Sequence, residues 1–472
     1  MNAQSLTAPM VSGFDPMQAA MATPLQPAPL PLVPVGGKAV DLDFDGGRLS
    51  SDAGLVLLKD IDAQLGVTRN LAAVLSDPRD PRRINFTLED LIKQRVFQIA
   101  AGYEDANDAN TLRDDPIFKL MLDRLPESGA PLASQPTMSR FENRISRTAL
   151  YRMALELLHQ FIASYATPPK VIVLDVDDTE DPVHGGQEQA RFDGYYGGYC
   201  FLPFHVYEGL SGRLITTLLK AKRFTGAQML SVLKRLVTRL RHAWPDTLLI
   251  LRGDSHFAYP EVMQWVEAQP GLHYVTGLTS NAVLKALARE AVEQATRAYA
   301  RWGRKVTRFH STHYQAQTWS RPRRVVIKVE GSEQGVNTRF VVTDMEQART
   351  KVLYQKIYCA RGQAENEIKD HKLYLKSDRT SCHRFEANQF RVLLHAAAYV
   401  LLETLRREVL RTTQWASATM ETIQLRLLKL GARVQECKDQ IKISLPSSCP
   451  AAPVLRCSLA LLTAVRLTAQ AL

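Results

Sequence analysis

The sequence predicts an α/β fold preceded by a helical region, on three observations. Short β-branched runs alternate with amphipathic helical stretches from about residue 170 to 290. Two of those runs end in aspartate. The stretch ahead of them carries apolar residues at helical spacing. Alternation of this kind argues for a sheet covered by helices on both faces.

In chain order, residues 1–37 are rich in Pro, Ala and Met and end in Gly36-Gly37, a composition that resists a packed core and predicts a disordered leader. Residues 38–165 read as a helical, DNA-binding region. Leu88, Leu91, Ile92, Val96 and Ile99 recur at helical spacing, with Thr87 as a cap. Ser134-Gln-Pro136 then opens a helix that carries Arg140 and Arg144. This is either the recognition helix of a helix-turn-helix or a capped surface helix.

Residues 166–290 form the first part of the predicted core. Strands are expected over 170–177, 201–207, 213–219, 247–252 and 273–277, with helices over 229–242 and 259–268. Residues 291–347 turn β-like, with strands over 306–317, 323–329 and 338–343, and read as a β-rich insertion. Residues 348–440 return to helix over 358–374, 384–408 and 416–432, and 441–472 are a tail. No internal repeat is visible.

The chain of 472 residues carries 59 Lys+Arg against 48 Asp+Glu, a formal charge of +11, with 45% hydrophobic residues. Such a basic surface favours polyanions, because neutralising phosphates releases condensed counterions. Six scattered cysteines form no CxxC pair, which speaks against a zinc finger or a disulfide framework. No apolar run reaches bilayer length, so no membrane partner and a cytoplasmic, nucleoid-associated location are expected.

Asp175 and Asp177 lie two apart on one strand and so share a face. A buried face does not tolerate unpaired carboxylates, so the two either lie at the strand's open end or bind a cation. Asp254 repeats the arrangement at the end of 247–252. Ligands of open α/β sheets gather beyond the carboxyl ends of strands, and oxygen donors of this kind suit Mg²⁺. The blander reading is that each aspartate caps the loop after its strand. The string Asp175-Val-Asp177-Asp178-Thr179 also resembles the nucleophile motif of haloacid-dehalogenase-type phosphatases, an alternative that makes Asp175 the nucleophile. No second aspartate follows Gly253-Asp254 closely, as that family requires.

The C-terminal third adds Tyr358-x2-Arg361-x3-Glu365-x6-Lys372. Offsets of three, four and seven place these residues along one helical stripe. The pattern resembles the signature of DDE transposases of bacterial insertion sequences. Asp177-x-Thr179, His184-Gly185, Asp193-Gly-Tyr-Tyr196, Arg252-Gly-Asp254-Ser255 and Ser377-Asp-Arg-Thr-Ser381 resemble the insertion-sequence 1380 family, from about residue 40 to 440.

The resemblance implies an RNase H-like core in which Asp177, Asp254 and Glu365 are catalytic and hold two Mg²⁺ ions, with Mn²⁺ as substitute and Asp175 as alternative ligand. It implies Tyr358, Arg361 and Lys372 as phosphate contacts. The expected partners are double-stranded DNA, as terminal inverted repeats and target, and a second copy of the chain in a homodimer. Trp302 and Trp319 lie among arginines that include Arg323. Trp319 and Arg323 are therefore candidates for contacting an extruded base, or else Trp319 fills a small sheet. His184, His205 and His256 lack ligand spacing and are read as supporting groups. The remaining alternative is a catalytically inactive DNA-binding derivative.

Overall fold

The computed structural model describes residues 32–464, so most of the expected leader (1–31) and the last residues (465–472) lie outside it. A two-residue strand, β1 (Leu49–Ser50), precedes helices that run to residue 163. Helix Leu88–Ala100 starts at the expected cap. Thr87 Oγ1 accepts from the Asp90 N–H at 3.0 Å, and Asp90 Oδ2 accepts from the Thr87 N–H at 2.9 Å. Satisfying two end donors in this way contributes about 1 kcal/mol. Helices Gln135–Asn143 and Arg147–Ala163 follow.

The remaining strands are β2 (Val171–Asp178), β3 (Asp181–Pro182), β4 (Arg191–Asp193), β5 (Gly198–Phe201), β6 (Phe204–Glu208), β7 (Leu214–Leu218), β8 (Leu248–Gly253), β9 (Leu272–Leu278), β10 (Val306–Tyr314), β11 (Arg323–Ser332), β12 (Gly335–Thr343), β13 (Ala432–Glu436) and β14 (Ile441–Ser444). One eight-stranded sheet has the order β10-β11-β12-β9-β8-β2-β6-β7. Strands β2, β8 and β9 run parallel, and the neighbours on either side are antiparallel. The fold is thus a mixed α/β one.

Period-two alternation assigns the faces. Ile172, Leu174 and Val176 of β2, with Leu249 and Leu251 of β8, pack under helices Gly226–Ala243 and Pro260–Glu267. Val173 and Ile250 point the other way, toward Leu353 and Tyr354. Asp175, Asp177 and Arg252 are in phase with these two, so they face the helical run 350–374 that crosses that side. The run includes wide π turns at Leu353–Tyr358 and Asp370–Tyr374 on either side of the helix Gly362–Lys369.

Two sequence expectations change. The strands read as an insertion take their place on the edge of the main sheet. β12 pairs antiparallel with β9, from Phe340↔Leu278 to Thr343↔Val275, so three strands extend the main sheet and cover what would otherwise be an open edge. Their Val325, Ile327 and Val329 share a core with Ala291 and Ala295 of helix Arg289–Trp302. The single run expected over 201–207 divides into β5 and β6, and β5 joins β3 and β4 in a small side sheet.

Residues 441–464, read as tail, hold β14 and helix Ala452–Ala464, whose Val454, Leu455 and Leu462 are buried. That cluster also joins Ile92, Val96 and Phe97 to Phe390, Leu393 and Leu394, so the first helices and helix Phe385–Thr404 share one core. Glu142 fixes the junction, accepting from Arg95 Nε at 3.0 Å and Arg391 Nε at 2.8 Å. Among the described residues no helix is long and apolar enough to cross a membrane.

Candidate active site

Asp177 lies near the open end of β2, beside His205 of β6 on one flank. On the other flank β2 and β8 run parallel with Asp175 opposite Arg252, so Asp254 comes to the same sheet end as Asp177. Asp254 caps the turn after β8: its Oδ1 accepts the His256 N–H at 2.8 Å and its Oδ2 lies 2.8 Å from His256 Nδ1. Arg361 crosses above from the helical run, donating from Nη1 to Asp177 Oδ2 at 2.8 Å and from Nη2 to Glu365 Oε1 at 2.7 Å. Burial pulls the Arg361 pKa down, but Asp177, Glu365, Tyr358 and Asp254 outweigh it and raise the net value. One guanidinium thus sits in the field of all three candidate acids. Burial pushes Asp177 up to about 6, against the pull of Arg361 and with a push from Asp254.

Tyr358 reaches the same place because position 277 is glycine. A Cβ there would lie 2.8 Å from both the Tyr358 hydroxyl and the Ser255 nitrogen. Lys372 departs from this grouping. The second π turn shifts the helical phase, and Lys372 acts on buried Asp181 and on His205 instead. Asp175 is 1% exposed and its carboxylate is held by both Nε and Nη2 of Arg252. It therefore has no open oxygen for a metal and no approach for a phosphoester, which removes it both as alternative ligand and as phosphatase nucleophile.

Trp319 and Arg323 are also corrected. Trp319 is 6% exposed, packs within the sheet's core and lies edge-on to Tyr314. Arg323 is buried and donates to Glu267. Neither is presented to DNA, because the extended sheet uses that tryptophan as filler. Trp302 remains half exposed. Arg140 and Arg144 are exposed and line a groove of about 410 Å³ with Arg79 and Arg83, far along the chain's first helices.

Sequence reasoning missed two groups at the site. Lys220, buried at the end of β7, donates to Asp178 at 2.5 Å and also acts on Asp177. Its signal was a lysine directly after a strand that pairs beside the acids. Arg252 was noticed only as part of a motif; its role is to neutralise Asp175. Among the described residues no three His, Cys, Asp or Glu side chains are gathered closely enough to hold a metal. The cation among the three acids is Arg361.

A family model described as "Transposase DDE domain group 1" matches residues 32–467. The chain belongs to this family. The transposase cleaves DNA and catalyses DNA transposition, and its family works with divalent metal ions. No curated protein matches it. Among solved structures it is similar to a piggyBac transposase in a cryo-EM synaptic complex with hairpin DNA, at 12% identity over 81% of each chain and a TM-score of 0.42. Residue roles in the transposase therefore rest on its own geometry.

Proposed function

We propose that this transposase is of the insertion-sequence 1380 type, performing cut-and-paste transposition with Asp177, Asp254 and Glu365 as the ligands of two Mg²⁺ ions. Its core is RNase H-like on this reading. The supporting order is three antiparallel strands (β7, β6, β2) followed by two parallel ones (β8, β9).

The observation that carries the proposal is the placement of Arg361 among the three carboxylates. A site whose acids already share one half-buried cation has the charge and the hard oxygen donors that suit Mg²⁺ or Mn²⁺. Divalent ions held by Asp177, Asp254 and Glu365 would supply an activated water and charge stabilisation for the departing 3′-oxygen. Arg361, no longer needed by the acids, would hold with Tyr358 the phosphate next to the cut; guanidinium suits two-point phosphate contacts. Water adds to phosphorus as the P–O3′ bond breaks; of its two protons one ends on the departing 3′-oxygen and the other passes to solvent, leaving a 3′-hydroxyl and a 5′-phosphate. Strand transfer repeats the exchange with that 3′-hydroxyl as nucleophile and a 3′-oxygen of the target strand as leaving group, which takes the proton. Arg140 and Arg144 contact the backbone of the terminal repeats. The enzyme works as a homodimer that bridges two ends.

The test is Glu365→Gln, with Asp177→Asn and Asp254→Asn beside it, on duplexes carrying the inverted repeats that flank the gene. Each change removes charge and keeps shape, so end cleavage is lost while end binding stays near normal. A Glu365→Gln protein that nicks ends at the wild-type rate refutes the assignment.

A further inference from the structure

Between β2, which ends at the catalytic edge, and β6, which returns beside it, the chain leaves the sheet as a side hairpin of β4 and β5 tied down by β3. The hairpin carries Phe192, Tyr195 and Tyr199 at 61%, 79% and 62% exposure, with Tyr196 half-buried between them. Phe192 and Tyr199 meet edge-on at 5.8 Å and Tyr195 and Tyr196 at 4.9 Å. None of the three exposed rings joins a core cluster. Single exposed aromatics are ordinary on a soluble surface; three on one short hairpin mark an interaction site.

The base of this hairpin is rigid. Asp181↔Phe201 and Pro182↔Cys200 pair, Thr380 donates to Asp181 at 2.6 Å, and Gln187 donates to the Cys382 carbonyl at 2.9 Å. Its tip is open: added side-chain atoms at Gly194, Gly197 or Gly198 would meet nothing. Cations flank it. Arg191 and Lys222 are exposed, and Arg223 lies 5.8 Å from the Tyr195 ring while also acting on Asp178, next to Asp177. Arg223 therefore links the patch to Asp178, the neighbour of Asp177.

We propose that Phe192, Tyr195 and Tyr199 form a stacking platform for nucleobases of unpaired DNA next to the scissile phosphate. The proposal rests on the active-site reading above. Flat faces with cations at their flank are what a single strand needs: every base offers a π face, and Arg191 and Arg223 can track its phosphates, with Asp193 the one acid among the rings. A second copy of the chain is the poorer occupant. Three rings at these exposures offer roughly 400 Å², about half of one side of a standard protein interface. The platform also takes the role that the sequence assigned to Trp319, which the fold has buried.

The test compares the full chain with Tyr195→Ala/Tyr199→Ala and with Tyr195→Phe/Tyr199→Phe. Fluorescence anisotropy measures binding to an oligothymidylate of about 15 nucleotides and to a mixed-sequence duplex. The alanine pair, losing two stacks of about 1–3 kcal/mol each, drops about 30-fold or more in affinity for the single strand, stays within roughly twofold on the duplex, and keeps the wild-type melting temperature, because the rings are outside the core. The phenylalanine pair retains single-strand binding. Unchanged single-strand affinity in the alanine pair overturns the proposal, as does a wild-type dimer that the alanine pair converts to monomer. Wild-type protein that binds neither probe overturns the DNA assignment of the surface as a whole, a failure distinct from loss of the platform alone.

Discussion

Replacing Asp177 with Asn is expected to stabilise the metal-free protein increasingly as pH rises. Burial pushes this carboxyl up to about 6, with Arg361 opposing and Asp254 adding. The ordinary value is about 3.9, so the rise of about two units corresponds to about 3 kcal/mol. The side chain is only 16% exposed, so solvent screening takes little of this away. A carboxyl with a raised folded-state pKa binds its proton more tightly in the folded chain than in the unfolded one. Its contribution is most favourable at low pH and declines as pH climbs through about 6. Between about pH 5 and pH 8 the wild type gives up about 1.5 kcal/mol through this group.

Asparagine does not titrate, and the pull of Arg361 on the ionised carboxylate is already contained in the raised value, so what remains is the pH-independent difference between a protonated Asp and an Asn. The stability difference should therefore move by about 1.5 kcal/mol in favour of Asp177→Asn between pH 5 and pH 8, read by urea unfolding in excess EDTA. Adding Mg²⁺ at pH 8 should reverse the order: at about a hundredfold excess over Kd the wild type gains about 2.7 kcal/mol and the variant most of nothing. A stability difference that is flat with pH, or that moves against the variant, refutes the electrostatic argument. An equal gain from Mg²⁺ in both proteins refutes the ligand assignment.

Further outcomes follow from other parts of the fold. Glu142→Gln leaves Arg95 and Arg391 buried without a counter-charge and should cost about 3–5 kcal/mol, seen as one cooperative unfolding transition at lower urea; a separate early transition would show that the first helices do not share the core of helix Phe385–Thr404. Trp319→Ala should lower stability by about 3–5 kcal/mol and reduce end binding and excision in parallel; loss of excision alone, with an unchanged melting temperature, would restore the base-contact role. Duplex binding should weaken steeply between roughly 50 and 200 mM salt in a mobility assay, and binding independent of salt would contradict a phosphate-driven interface.

What was legible in the sequence was local. The cap at Thr87, the β-branched run ending in Asp177 and the shared phase of Asp175 and Asp177 all follow from nearest-neighbour patterns, and each has its counterpart in the structure. The strands over 306–343 were legible as strands, but their partner was not. Pairing of β12 with β9 joins residues more than sixty apart, and no local pattern encodes it. The same limit hid the burial of Trp319 and Arg323. A tryptophan among arginines reads as a surface patch until a distant glutamate, Glu267, is seen to neutralise one arginine. Asp175 was ambiguous for a related reason. Strand period fixes the face of a side chain, whereas its depth under the crossing helix depends on Arg252 and on the space left at Gly209. The spacing of Tyr358, Arg361, Glu365 and Lys372 assumed a regular helix, whereas the run is π through Tyr358, 3-10 over Cys359–Arg361, α over Gly362–Lys369 and π again at Lys372, so the stripe is only approximate.

The helical run bears on whether an exposed acid could serve as the proposed ligand. The Glu365 side chain is 60% exposed and, among the described residues, is hydrogen-bonded and ion-paired to Arg361 alone, so packing holds it little. Its backbone, however, is tied on both sides to buried groups. Before it, Arg252 donates to the Ile357 carbonyl at 2.6 Å. After it, Glu367 accepts from the Tyr399 hydroxyl at 2.6 Å and Asp370 from Arg406 at 2.6 Å. Arg252 is the same residue that neutralises Asp175 on β2, so the tether of the helix and the strand that carries Asp177 share one buried guanidinium. Charged hydrogen bonds in such surroundings are stronger than neutral ones and lose more when broken. The helical run is thus held to the sheet by the Arg252 guanidinium and to helix Phe385–Thr404 and its continuation by Tyr399 and Arg406, while the acid proposed for exchange can trade Arg361 for another cation. Fixed backbone with loosely held carboxylate is the combination that a site must have if it is to take up metal and substrate without repacking its core.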